Sequence, residues 1–250
     1  MVRGIDKFRE YFQGYAGQYV FIGGTACDII LGHDGIKFRQ TKDFDMVLII
    51  EALNADFIKM FIDFVQQAGY SHTNKGTGAS QFYRFEMPKD NQFPYMIEVF
   101  SRKPDYIKML DLKIAPVHIS AEVLSLSAIL LDDEYYSLLV ASALEIDGIS
   151  VLNLECLILF KMKAWLDLSE RRQRGEQIDS KNITKHKNDV IRLAANIQQD
   201  AMIAINGQVK KDAEVFLQAI EIDNVNLKSL GIRGITGKEI LDRMRRCFGL

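Results

Sequence analysis

Apolar residues recur along the first stretch of the chain with a helical period. In residues 5–16, IDKFREYFQGYA, Ile5, Phe8, Tyr11 and Phe12 fall three or four apart, the spacing of a helix that buries one face. QYVFI (18–22) is a short β-rich run stopped by Gly23-Gly24. Thr25 opens TACDIILG, an apolar segment of one or two helical turns ending at Gly32. DMVLII (45–50) has the pattern of a buried strand. In NADFIKMFIDFVQQAG (54–69), Phe57, Met60, Phe61, Phe64 and Val65 form one stripe, with Gly69 as the helix stop. QFYRFEM and YMIEVF are strand-like runs separated by PKDNQFP, which predicts a hairpin with a longer loop. KIAPVHIS, YYSLLVASALEI and ISVLN, between residues 105 and 153, read as extended pieces. Beyond residue 152 the pattern turns helical. Asn153 is placed to cap LECLILFKMKAWLDLSERRQRG, and TKHKNDVIRLAANI, KDAEVFLQAIE and GKEILDRMRR are further helices. The expected organisation is a strand-and-helix domain over 1–152 and an all-helical domain over 153–250.

Composition narrows the function classes. With 48% hydrophobic and 26% charged residues, the 250-residue chain is an ordinary globular protein able to bury a core. A formal net charge of -2 gives no global attraction to a polyanion, so a nucleic-acid partner needs a local basic patch. Cys27, Cys156 and Cys247 are far apart and have no metal-ligand spacing, as expected of small hydrophobes in a reducing compartment. MVRGIDKFREYF lacks the apolar core of a secretory signal, and no apolar run reaches bilayer-spanning length. These features predict a cytoplasmic protein with no membrane partner.

The chemistry concentrates in FIGGTACDIILGHDGIKFRQTKDFDMVLII, residues 21–50. On a strand, Asp43 and Asp45 share one face and lie roughly 7 Å apart at Cα, close enough to converge on a divalent cation or a pair of them. Gly23 and Gly24 end the preceding strand without side chains, so backbone can approach a bulky anion. Thr25 begins a helix whose N-terminal N–H groups favour phosphate. No Gly-Lys-Ser/Thr follows, which excludes a P-loop, and the second spaced glycine of a dinucleotide fold is missing.

This arrangement resembles the nucleotidyltransferase superfamily of the polymerase-β type, in which a Gly-Gly turn precedes an Asp-x-Asp strand and a third acid follows on a later strand. GGTACDIIL, RQTKDFDMVL, LILFKMKAWLDL and KHKNDVIRL look like the motifs of its AbiEii-like toxin and phage-defence branch, over roughly residues 17–195. The resemblance implies an α+β fold: a mixed sheet flanked by helices, followed by a helical C-terminal domain. It implies that Gly23, Gly24 and Thr25 cradle the triphosphate of an NTP. Asp43, Asp45 and Glu98 would hold Mg²⁺, two ions in all, with Glu98 completing the metal site or taking the acceptor proton. Arg39 and Thr41 would brace the loop, Arg39 touching phosphate, and Lys161 or Lys163 would reach the nucleotide.

Glu86 in RFEMP rivals Glu98, whose neighbours are apolar on both sides. His186 and Asp189, three apart on one helix face, fit either a surface pair or a substrate cleft. Residues 161–192 carry nine Lys/Arg against five Asp/Glu, which could hold the phosphates of an RNA acceptor such as tRNA. The reading is a Mg²⁺-dependent transfer of NMP to an acceptor hydroxyl, with tRNA as acceptor and an antitoxin as partner implied by the resemblance. The alternatives are a nucleotide- or metal-binding module without turnover, and an aminoglycoside-type transferase.

Overall fold

The computed structural model describes residues 2–39, 41–75, 81–102, 115–116, 125–126, 129–130 and 132–250. The chain forms two compact units, one of residues 1–119 and 138–153, the other of residues 120–137 and 154–250. The fold is α+β. KIAPVHIS lies outside the described residues, except for Ala115–Pro116.

The first unit is built on an eight-stranded mixed sheet: β1 Tyr19–Ile22, β2 Asp43–Leu48, β3 His72–Lys75, β4 Gln81–Glu86, β5 Met96–Ser101, β6 Ala115–Pro116, β7 Ala143–Ile146 and β8 Ile149–Leu152. Their spatial order is β6-β3-β4-β5-β2-β1-β8-β7. β2 pairs antiparallel with β1 and parallel with β5, and β4 and β5 form the expected hairpin.

Alternation gives the sheet two different faces. Tyr19, Phe21, Phe44, Met46, Tyr83, Phe85, Ile97 and Val99 are all buried, and register places them on one of these faces. Helices α1 (Ile5–Phe12) and α3 (Ala55–Ala68) cover that face. Phe8 lies 4.9 Å from Phe21 and 5.8 Å from Phe44 between ring centroids, and Phe61 lies 5.7 Å from Phe85. Each such side chain contributes about 1.5–3 kcal/mol by leaving water. α3 is held at both ends, at Gly69 as the pattern predicted and also at Asn54. Asn54 accepts the Phe57 N–H at 2.9 Å, and Gly69 adopts the left-handed conformation that closes the helix. The opposite face of β2, β4 and β5 carries the charged residues.

Two local expectations need correction. Helix α2 runs from Gly23 to His33, starting two residues before Thr25, because Gly23 at φ 64 turns the chain from β1 straight into the helix. YYSLLVASALEI is not one extended run. Its first half is helix α4 (Asp133–Ala141) and only Ala143–Ile146 is strand. Asp132 caps that helix by accepting the N–H groups of Glu134 at 2.9 Å and Tyr135 at 3.2 Å, and an apolar run carries no trace of such a cap.

The second unit contains α5 (Leu154–Gln173), α6 (Ser180–Ala194), α7 (Gly207–Ala219) and α8 (Gly237–Phe248). α5 is buried over most of its first half, Leu154 to Met162, and packs against α6 and α7. Trp165 is half-buried and packs edge to face on the buried Phe216, their ring centroids 5.1 Å apart. α8 opens with a capping box between Thr236 and Glu239. Among the described residues no helix is long and apolar enough to cross a membrane.

Candidate active site

The charged face of the sheet is organised by β2. Asp43 and Asp45 point to that face while Phe44 and Met46 enter the aromatic core. Asp45 is in register with Ile22 of β1 on one side and Glu98 of β5 on the other. Neighbouring strands lie about 4.8 Å apart, so the Asp45 and Glu98 side chains leave the sheet side by side. Glu98 is buried, and it is this acid that stands next to the aspartates. Glu86 shares the face but pairs with Met96 and His72, farther along.

Arg84, the cross-strand neighbour of Glu98, completes the row. Its Nε and Nη2 both donate to Glu98 Oε1, at 2.9 Å and 2.5 Å. Burial pushes the Glu98 carboxyl above its ordinary range and the Asp43 charge adds to this; the Arg84 guanidinium and a hydrogen bond with Asp45 oppose it. Three carboxylates thus share the row with one guanidinium.

The glycines serve the acids directly. A Cβ on Gly23 would collide with Asp45 Oδ2, and one on Gly24 would lie 2.7 Å from Thr41 Oγ1. Only glycine lets the first turn of α2 come this close to β2. Thr25 is fully buried and its hydroxyl donates to the Asp43 carbonyl at 2.6 Å. The expected phosphate cradle is therefore, in this structure, a bend packed against Asp45 and Thr41, and the Thr25 side chain braces the strand. Arg39 is half-buried, its guanidinium 5.3 Å from the Phe38 ring centroid.

The lysines belong to the second unit and have acidic partners there. Lys161 is buried and donates to fully buried Asp189 at 3.0 Å, and Arg192 lies 3.4 Å from the same carboxylate. Lys163 stands 2.8 Å from Asp212, which also accepts from Tyr135 at 3.0 Å and Gln208 at 2.8 Å. Of the nine basic residues in 161–192, Lys161, Lys163, Arg171, Arg174 and Arg192 stand in ion pairs, but only Asp212, the partner of Lys163, lies outside the segment, so the excess of basic residues largely persists. His186 shares α6 with Asp189.

The donor set suits a hard divalent cation, since carboxylate oxygen is the ligand Mg²⁺ prefers. The expected set of three does not gather: among the described residues no group of three or more His, Cys, Asp or Glu is placed to hold a metal ion. Glu98 is instead bonded to Arg84 through one oxygen, and its carboxyl is hydrogen-bonded to Asp45. Asp43 and Asp45 are left as the fitting pair.

Arg84 escaped the sequence reading, though a signal existed. A hairpin folded about Asn91, the midpoint of PKDNQFP, sets residue 84 opposite residue 98, the observed register.

No family model matches the chain, and no curated protein matches it. Among solved structures, it is similar to an antigenic nucleotidyltransferase-like protein from Paracoccidioides brasiliensis, with 12% identity over 91% of this chain and 93% of that one and a TM-score of 0.40. At that score the likeness is loose, and the functional reading rests on the site itself.

Proposed function

We propose that the first unit is the catalytic module of a metal-dependent nucleotidyltransferase that moves an NMP group from an NTP to an acceptor hydroxyl. The observation that carries this reading is the placement of Asp43, Asp45 and Glu98 on one face of adjacent parallel strands, against the first turn of α2. In the reaction the acceptor oxygen bonds to the α-phosphorus, the bond to pyrophosphate breaks and the acceptor proton is given up. Mg²⁺ held by Asp43 and Asp45 would supply neutralising charge for the phosphates and the departing pyrophosphate. Glu98, its carboxyl raised by burial, is the group suited to hold the acceptor proton. The first-turn N–H groups of α2 have no intrahelical acceptors, and with Arg39 they offer donors to phosphate. Gly23 and Thr25 keep the acid strand against that turn.

The acceptor we propose is RNA, tRNA first, in a toxin or defence setting with a cognate antitoxin. This part rests on the likeness of GGTACDIIL and RQTKDFDMVL to the AbiEii-like branch. The test is incubation with each α-labelled NTP, Mg²⁺ and total tRNA. Label on RNA with the wild-type protein, absent with Asp45→Asn, supports the proposal. A second reading is favoured by the Arg84–Glu98 pair, which occupies the proposed base: a nucleotide-binding module without turnover. NTP binding with no transfer to RNA, aminoglycoside or protein would select it.

A further inference from the structure

We propose that residues 226–250, at the end of the second unit, form a phosphate-contacting surface that holds the backbone of an RNA. The inference deepens the RNA-acceptor reading above and rests on it for the choice of RNA.

The segment carries six Lys/Arg against two Asp/Glu, in a chain whose formal net charge is -2. Both acids are already engaged. Glu239 accepts from the Thr236 N–H and from its hydroxyl, each at 2.7 Å, and the Arg243 charge acts on it as well. Asp242 stands 3.4 Å from Arg245. Lys228, Arg233, Lys238 and Arg246 remain. All four are exposed, and none of them forms an ion pair among the described residues.

Two contacts bring these cations to one end of α6. Arg192 of α6 donates to the Leu230 carbonyl at 3.4 Å, which sets the Leu227–Leu230 turn, with Lys228 on it and Arg233 just after, beside that end. Arg243 of α8 donates to the Ala195 carbonyl at 2.7 Å, where the last carbonyls of a helix favour a cation. α8 buries Ile240, Met244, Cys247 and Phe248, so its outer side is left to Lys238, Asp242, Arg245 and Arg246.

This composition selects the ligand. A helix lying on a membrane needs an apolar face to insert, and that of α8 is used in the core. A protein partner is anchored by exposed aromatic or large apolar groups. The segment exposes none, and its one aromatic residue, Phe248, is buried. Backbone phosphates need cations alone, and without a stacking ring the contact is independent of base sequence. Glu221 and Asp223 lie on or next to the preceding turn, where Ile222 packs against Gly237, so Lys238 contributes least of the four.

The experiment is fluorescence-anisotropy binding of the full chain to labelled tRNA and to labelled poly(U), without NTP or Mg²⁺, between about 50 and 200 mM KCl. Wild type should bind both. The combined Lys228→Gln, Arg233→Gln, Lys238→Gln and Arg246→Gln variant should bind at least about tenfold more weakly. Its slope of log affinity against log salt should flatten by about 3, at about 0.7–0.9 for each lost phosphate contact. Among the single variants Lys238→Gln should flatten the slope least, and the singles keep the test valid if the combined variant does not fold. Unchanged affinity and slope in the variants, no RNA binding by wild type, or tighter binding to polyglutamate than to RNA overturns the inference and leaves the transfer chemistry standing. RNA binding with this salt dependence, but no label transfer from any NTP, removes the transferase reading and leaves the surface in place.

Discussion

Each unit buries a carboxylate against a cation, yet the two pairs have different surroundings. In the second unit, Asp189 faces Lys161 and Arg192, and Asp212 faces Lys163, Tyr135 and Gln208. Each of these two acids has at least one cation to itself. In the first unit Arg84 faces Glu98, whose carboxyl is also hydrogen-bonded to Asp45, and Asp43 stands on the same sheet face, so three acids crowd one row. Buried charge is tolerated when it is paired and costs several kcal/mol when it is not. A balanced cluster completes its own electrostatics and serves the fold. Carboxylates crowded on one sheet face disfavour one another's charge, and a cation joining them would relieve that. That contrast, more than the presence of ion pairs, separates a structural lysine from a candidate active site.

The contrast can be broken most directly at Lys161. Replacing it with Met removes the lysine partner of the fully buried Asp189, and is expected to cost about 3–5 kcal/mol in urea unfolding. Replacing both Lys161→Met and Asp189→Leu should recover most of the loss. If Lys161→Met instead keeps full stability and abolishes transfer, the lysine is a site residue and the comparison fails.

Asp45→Asn is the counterpart in the first unit. It removes one charge from a row of three acids, so stability should hold or rise slightly, while NMP transfer should fall about 10³-fold, equivalent to about 4 kcal/mol of barrier. The measurement is transfer rate beside the unfolding midpoint of the same preparation.

Gly23→Ala tests the close approach of α2 to β2. The left-handed φ of 64 alone costs an L-residue about 1–2 kcal/mol, and the added Cβ would push Asp45 aside. Mn²⁺ binding should weaken together with the thermal midpoint.

The smallest effect is in pH dependence. The folded-state carboxyl of Glu98 is raised above its ordinary 4.5, so its favourable contribution is complete below that value and is lost as pH rises through the folded-state value. Without divalent ions, wild type should lose stability relative to Glu98→Gln across that interval, with a slope of at most about 1.4 kcal/mol for each step of one in pH. Equal pH profiles for the two proteins would show that Arg84 fully offsets the burial.

Much of the fold could be read along the chain. The stripe from Phe57 to Val65, closed by Gly69, marks α3, and the alternation on either side of PKDNQFP marks the β4–β5 hairpin, because helical and strand periods leave distinct residue patterns. The split of YYSLLVASALEI into helix and strand was not legible, since both conformations can bury such a run and the Asp132 cap decides between them.

The sequence by itself determined that Asp43 and Asp45 share a face and follow a side-chain-free bend, because strand alternation and the absence of a Cβ are local properties. Only the tertiary structure decided what those residues meet: Glu98 through the parallel pairing of β2 with β5, Asp45 against Gly23, and an aspartate for each lysine on α5. Charge compensation depends on which strands and helices become neighbours, and that is set by packing over the whole chain and not by spacing along it.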